Sequence, residues 1–260
     1  MDLELKDKVV VITGGASGIG AAVVCGAARE GAIPVIVDRC VAAAEQLEEQ
    51  VRASGGAALA IGVDLVAAQN CKLVVEETLD RFGRLDALIN NAGVNDRVGL
   101  ESGSPAEFLA SIERNLLHYY NMAHYALPAL KKDRGAIVNI ASKTAVTGQG
   151  GTSGYAASKG AILALTREWA VELLPYEIRV NAVLPAEVMT PMYRNWLAEF
   201  EDPEGKLNGI VSRIPLGKRM TRPEEIAAAT LFLISSQSGH TTGQHIYADG
   251  GYVHLDRSLL

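Results

Sequence analysis

The sequence predicts an α/β protein built on a parallel sheet with helices packed against it, and three observations carry that expectation. Short β-branched runs alternate with helix-like stretches along the chain, the pattern of repeated β-α-β units with right-handed crossovers. A glycine-rich turn, Gly14-Gly15-Ala16-Ser17-Gly18-Ile19-Gly20, joins the first run to the first helix. The composition is 48% hydrophobic with 26 glycines in 260 residues, which suits a large core and many tight turns. A chain of this length fits one domain, 1–260, and no linker, repeat or low-complexity segment divides it.

The elements follow in order. Val9 to Thr13 is a β-branched run that reads as a strand buried on both faces. Ala21 to Glu30 reads as a helix stopped at Gly31, and 34–38 as the second strand, ending on Asp38. A helix is predicted over 41–52, a third strand over 57–63 ending at Asp64, and a helix over 66–82 closing on Gly83. The fourth strand, 85–91, runs into Asn90-Asn91-Ala92-Gly93. Ser104-Pro105-Ala106-Glu107 has an N-cap, proline at the first helical position and an acidic residue in the first turn, so a long helix is expected to about Leu130. The fifth strand ends at Ser142, a helix covers 155–174, and the sixth strand 178–184. Residues 185–215 carry no strand signal and read as a lid or substrate segment. A helix over 223–234 and a strand over 244–248 complete the chain.

The net charge of −6, with Lys and Arg scattered, argues against a nucleic-acid footprint or a basic membrane patch. No apolar run approaches the roughly 18 residues that a membrane span needs. The opening Met-Asp-Leu-Glu-Leu-Lys-Asp-Lys lacks the basic-then-apolar order of a signal peptide. Cys25, Cys40 and Cys71 are odd in number and follow no metal spacing, so reduced thiols, no metal site and a cytoplasmic location are expected.

The glycine turn sits after a strand and opens a helix, the context in which such a loop binds a pyrophosphate on free backbone N–H groups at the helix's positive end. Asp38 ends the second strand 18 residues after Gly20, close to the spacing of a carboxylate that binds a ribose 2′-hydroxyl. A carboxylate there repels a 2′-phosphate, and Ser17 adds no positive charge to the loop, so NAD is expected over NADP; Arg39 softens that preference. Asp64, at the third strand's end, is a candidate for adenine contacts, and Asn91-Ala92-Gly93 for the nicotinamide ribose.

A second constellation lies at 142–159. Ser142 ends an apolar run, a Gly/Thr/Ser-rich loop follows, and Tyr155 and Lys159 then fall four residues apart on one helix face. A nearby cation favours a phenolate and lowers the tyrosine pKa from about 10 toward neutrality, as a general base requires. Ser142 adds a hydroxyl that hydrogen-bonds an oxygen without titrating. Alone, such a Tyr–Lys pair is usually an amphipathic tyrosine beside a solvated lysine; the serine and the glycine loop set this one apart.

Together these residues resemble the short-chain dehydrogenase/reductase family over essentially the whole chain. The motifs are Thr13-Gly14-x-x-x-Gly18-x-Gly20, Asn90-Asn91-Ala92-Gly93, Asn115, Ser142, Tyr155-x-x-x-Lys159, Arg179-Val180-Asn181 and Asp249-Gly250-Gly251. The resemblance implies a single-domain, Rossmann-like, doubly wound sheet of seven parallel strands in the order 3-2-1-4-5-6-7, and a homotetramer. It implies a tetrad in which Tyr155 is the acid/base and Lys159 lowers its pKa and binds the nicotinamide ribose. Ser142 polarises the substrate oxygen and Asn115 holds a water in a proton relay. It also extends the cofactor set to Ile19, Leu65, Pro185, Glu187, Val188 and Thr190.

One departure stands out. The family usually has Pro-Gly after the sixth strand, whereas this chain has Pro185-Ala186-Glu187, which removes a flexible glycine and adds a carboxylate near the substrate. With Thr147-Gly148-Gln149-Gly150, Pro191-Met192-Tyr193-Arg194-Asn195-Trp196, His240-Thr241-Thr242-Gly243 and His254-Leu255-Asp256-Arg257, the chain looks most like the L-fucose dehydrogenases. That points to oxidation of the anomeric carbon to a lactone. Asn95, Gln149, Glu187 and His254 are the polar substrate candidates, and Tyr193 or Trp196 an aromatic wall, with ordinary lid packing the other reading of Trp196. Oxidation of a steroid or other apolar alcohol, 3-oxoacyl reduction, and NAD sensing without catalysis are the competing readings. Asp38 weighs against the second, and Glu187 with Gln149 against the first, because an apolar ligand leaves them unpaired.

Overall fold

The computed structural model describes residues 2–256; Met1 and residues 257–260, Arg257 among them, lie outside the described residues. Its centre is a sheet of seven parallel strands, β1 (Val9–Thr13), β2 (Ile33–Asp38), β3 (Leu59–Gly62), β4 (Ala87–Asn90), β5 (Ala136–Ile140), β6 (Arg179–Pro185) and β7 (His245–Ala248), in the order β3-β2-β1-β4-β5-β6-β7. The order reverses between β1 and β4, and ligands of open α/β sheets sit at the strands' carboxyl ends there. Ten helices connect the described strands: α1 (Gly18–Arg29), α2 (Val41–Ala53), α3 (Ala68–Phe82), α4 (Pro105–Ile112), α5 (His118–Asp133), α6 (Thr144–Thr147), α7 (Ser153–Glu172), α8 (Pro191–Leu197), α9 (Pro203–Val211) and α10 (Pro223–Ile234).

The two faces of the sheet can be read from alternate residues of one strand. Val9 and Val11 of β1 pack in one core with residues of α3, α5 and α7, including Val74, Met122 and Ile162. Val10 and Ile12 pack in the other with residues of α1, α2 and α10, including Val24, Leu47 and Ile226. Successive side chains of a strand point to opposite faces, so a run that is apolar at every position must be covered twice.

The observed boundaries depart from the expected ones for local reasons. The helix after the glycine turn begins at Gly18 rather than Ala21. The long helix expected from Ser104 is interrupted at Glu113–Leu117, where one π-helical turn separates α4 from α5. It then continues to Asp133, past Pro128. The 185–215 segment holds α8 and α9. Each starts with proline at its first position behind a capping side chain: Thr190 accepts from the Tyr193 N–H at 3.2 Å and Asp202 from the Gly205 N–H at 2.8 Å. No helix among the described residues is long and apolar enough to cross a membrane.

Candidate active site

A cleft of about 370 Å³ opens at the carboxyl ends of the strands, with the glycine turn at one end and Ser142, Tyr155 and Lys159 at the other. Gly14 and Gly18 both have left-handed backbone, φ +62° and +54°. A Cβ at Gly14 would lie 2.9 Å from the Ala92 Cα, and one at Gly20 would overlap the Gly14 carbonyl oxygen. Glycine is thus required twice, for backbone sign and for close approach. Ser17 occupies the N-cap of α1 in extended conformation without a capping side-chain bond, so the helix's first N–H groups lack that partner and line an anion-sized hollow with Ile19.

Asparagines and one threonine hold the turn in place. The Asn91 Nδ2 donates to the carbonyls of Thr13 (2.9 Å) and Gly14 (3.1 Å). Thr13 Oγ1 accepts from the Asn91 and Ala92 N–H groups at 2.9 and 3.1 Å. Asn90 is buried deeper and donates to Asn139 Oδ1 at 3.1 Å. Asp38 reaches back to the same turn: its carboxylate accepts from the Ala16 N–H at 3.1 Å and the Cys40 N–H at 3.0 Å. A carboxylate has about four acceptor positions, so lone pairs remain for a ribose. Arg39, Asp64 and Leu65 line the cleft beside it, as do Asn91, Ala92, Gly93, Pro185, Val188 and Thr190 further along. The glycine cradle, the α1 N-terminus and the acceptor at Asp38 therefore fit a nicotinamide dinucleotide.

At the other end, Ser142 Oγ accepts from both the N–H and the hydroxyl of Thr144, at 3.2 and 3.0 Å. Both lone pairs being used, its proton is directed outward, and it hydrogen-bonds Tyr155 in the sense that lowers the phenol's pKa. Burial outweighs that bond and pushes the Tyr155 pKa above its ordinary value. The lowering expected from Lys159 is absent in the protein alone. Its Nζ lies 5.6 Å from the Tyr155 ring centre and donates to Tyr119 Oη (2.9 Å) and the Ile140 carbonyl (2.8 Å). Desolvation also lowers the Lys159 pKa to about 7.

Several expected residues lie off the cleft. Asn115 is fully buried in the π-turn, accepting from the Val94 N–H at 2.8 Å and donating to the Ser111 carbonyl at 3.1 Å, so its side chain is held by the protein. Glu187 was expected to face cofactor or substrate. Its carboxylate instead pairs with Lys143 and accepts from Tyr193 Oη at 2.7 Å, because a poorly hydrated carboxylate binds the nearest cation. Lys143 also lies 4.1 Å from the Tyr252 ring centre. Tyr193 does line the cleft, whereas Trp196 stands edge-to-face between Tyr193 (5.1 Å) and Phe200 (5.0 Å), the packing reading. Gln149 and His254 are exposed, the latter 4.3 Å from the Tyr247 ring, and Asn95 closes a local turn onto the Arg97 N–H.

Sequence reasoning passed over Arg114, His118, Ala186 and Met192, which line the cleft, and Tyr119 and Lys143 behind it. His118 Nε2 bonds the Arg114 carbonyl at 3.1 Å while its Nδ1 is buried without a partner, and burial followed by the Lys159 charge lowers its pKa to about 4. Tyr119 carried a readable signal, since it falls four residues after Asn115. Lys143 carried none, since its partner is 44 residues away.

Known proteins agree with this geometry. The family described as enoyl-(acyl carrier protein) reductase matches residues 14–253. Among curated relatives, the 3-oxoacyl-[acyl-carrier-protein] reductase FabG of Thermotoga maritima is 37% identical over 96% of this chain and 100% of its own length. The L-fucose dehydrogenase of Mus musculus is 37% identical over 94% and 88%. Among solved structures, Cj0485 dehydrogenase superposes with a TM-score of 0.96 at 44% identity, covering 99% of this chain and 98% of its own. The L-sorbose reductase of Gluconobacter frateurii, complexed with NADPH and L-sorbose, superposes with 0.94 at 28% identity, over 98% and 100%.

Proposed function

Because the chain belongs to the short-chain dehydrogenase/reductase family of oxidoreductases, we propose that it oxidises a sugar, L-fucose or a similar aldose, at its anomeric hydroxyl with NAD. One observation carries the reading: Ser142, Tyr155 and Lys159 converge on the cleft whose far end is formed by the glycine turn and Asp38. Bound there, nicotinamide supplies the hydride acceptor. Tyr155 Oη takes the hydroxyl proton as the substrate C–H and O–H bonds break and the carbonyl forms. The outward proton of Ser142 stabilises the negative charge growing on that oxygen. Lys159, held beside the ribose, supplies the charge that favours the Tyr155 phenolate, and Asn115 keeps the Gly93–Val94 backbone in place for the proton's exit.

A polyhydroxylated substrate suits a substrate end that combines the Tyr193 ring with a nearby carboxylate and ammonium. The likeness to L-fucose dehydrogenases supports the same class. The equal identity to a 3-oxoacyl reductase keeps that reaction as the second reading. Exposed Leu109, Leu117, Tyr120 and Val171 support self-association into a homotetramer. The deciding experiment follows NADH absorbance over a panel of aldoses, polyols, apolar secondary alcohols and a 3-oxoacyl thioester. L-Fucose or a related aldose should give the highest kcat/KM; turnover confined to the thioester would replace the reading.

Cofactor choice is tested separately. With Asp38 accepting at the end of β2, kcat/KM for NAD should exceed that for NADP by about tenfold or more, roughly 1.4 kcal/mol. Asp38→Asn should narrow the ratio chiefly by improving use of NADP. A wild-type enzyme that prefers NADP would remove Asp38 from the ribose site.

A further inference from the structure

The Lys159 ammonium is among the most enclosed charges of the protein, 2% exposed, and its protein acceptors are a main-chain carbonyl and one phenol. That phenol belongs to Tyr119, the second residue of α5, whose side chain is wholly buried. Tyr119 Oη donates to the Ile140 carbonyl at 2.9 Å and accepts from Lys159 Nζ at 2.9 Å, while Lys159 Nζ donates to the same carbonyl at 2.8 Å. The three atoms close a triangle at the end of β5, two residues before Ser142. We propose that Tyr119 is a positioning residue for the reaction: its hydroxyl fixes the Lys159 ammonium beside Tyr155 and thereby governs proton transfer there. The inference rests on the proposed roles of Tyr155 and Lys159.

The argument is one of local polarity. An ammonium deprived of water keeps its charge only so far as acceptors replace that water, and burial already brings Lys159 down to about 7. Two of its three N–H donors are committed to the triangle. Removing the phenol oxygen takes one acceptor away, favours neutral lysine, and withdraws the charge that stabilises a phenolate at Tyr155. The other titratable groups facing the ammonium do not compensate. Tyr155 lies one turn earlier on α7. His118, next to Tyr119 on α5, is held neutral by burial and by Lys159 itself, and Asp64 at the end of β3 acts on His118. Tyr119 cannot serve as a rival base, because burial and then Tyr155 push its own pKa well up.

Tyr119→Phe keeps the ring and deletes only the oxygen. For the full-length enzyme, kcat for alcohol oxidation is measured across the pH range with NAD dissociation constant and melting temperature. The acid limb of kcat should move upward by about one pH unit. Activity near neutrality should fall roughly five- to tenfold and recover at alkaline pH, with NAD affinity changed less than threefold. Tyr119→Met, also without an acceptor oxygen, should move the limb the same way and serves if the Phe variant does not fold. An unchanged midpoint, with kcat unaltered or lowered equally at every pH, overturns the inference. Turnover retained by Tyr155→Phe would instead overturn the parent reading, so the two failures are distinct.

Discussion

Tyr155→Phe should reduce turnover by about 10²- to 10⁴-fold, the usual contribution of a positioned acid/base, while leaving NAD binding within about twofold. The substitution removes one oxygen from a partly buried ring that stays in place. The Lys159 ammonium is held by Tyr119 and Ile140, not by the Tyr155 phenol, so its post beside the cofactor cleft survives the change. Steady-state kcat and a fluorescence titration with NAD separate the two effects. Residual activity close to wild type would mean that the proton goes elsewhere.

Glu187→Leu should have the largest effect on stability. Its carboxylate and the Lys143 ammonium are only 12% and 10% exposed, and Glu187 also receives the Tyr193 hydroxyl. Removing one partner of a buried ion pair typically costs about 3–5 kcal/mol, because the other charge stays out of water without its counterion. For a chain of this size that lowers the melting temperature by on the order of 10 °C. Tyr193 loses its anchor at the same time, so KM for the aldose should rise more than kcat falls. The double change Lys143→Met with Glu187→Leu should recover much of the melting temperature without recovering KM. If Glu187→Leu melts with the wild type, the pair carries no net stability.

The sheet was legible because every strand from β1 to β6 is a short apolar run and each break carries a glycine, proline or asparagine with a local reason to be there. Caps at Ser104 and Gly83 work the same way. The helices α8 and α9 also had their signals, Thr190-Pro191 and Asp202-Pro203, but seven- and nine-residue helices bury too little to show a periodicity. The π-turn left no trace, since it changes hydrogen-bond partners without changing residue preference. At the site, Gly14, Asp38, Tyr155 and Lys159 are readable because short-range spacing sets them. Tyr119 with Lys159, and Lys143 with Glu187, meet only through the packing of distant elements, and spacing along the chain says nothing about them.

The extra residue that α4 and α5 share at Glu113–Leu117 has a consequence for how this chain tolerates change in length. Deleting any one of those five positions would let the wide turn relax into ordinary helix and rotate everything after it by about 100° relative to what precedes. Asn115 would then swing away from Val94, or Tyr119 from Lys159, depending on which half of the rod stayed docked. Surface loops of this protein can gain or lose a residue at little cost, whereas these five keep the phase between two halves of a rod, as a key on a shaft keeps two gears in time.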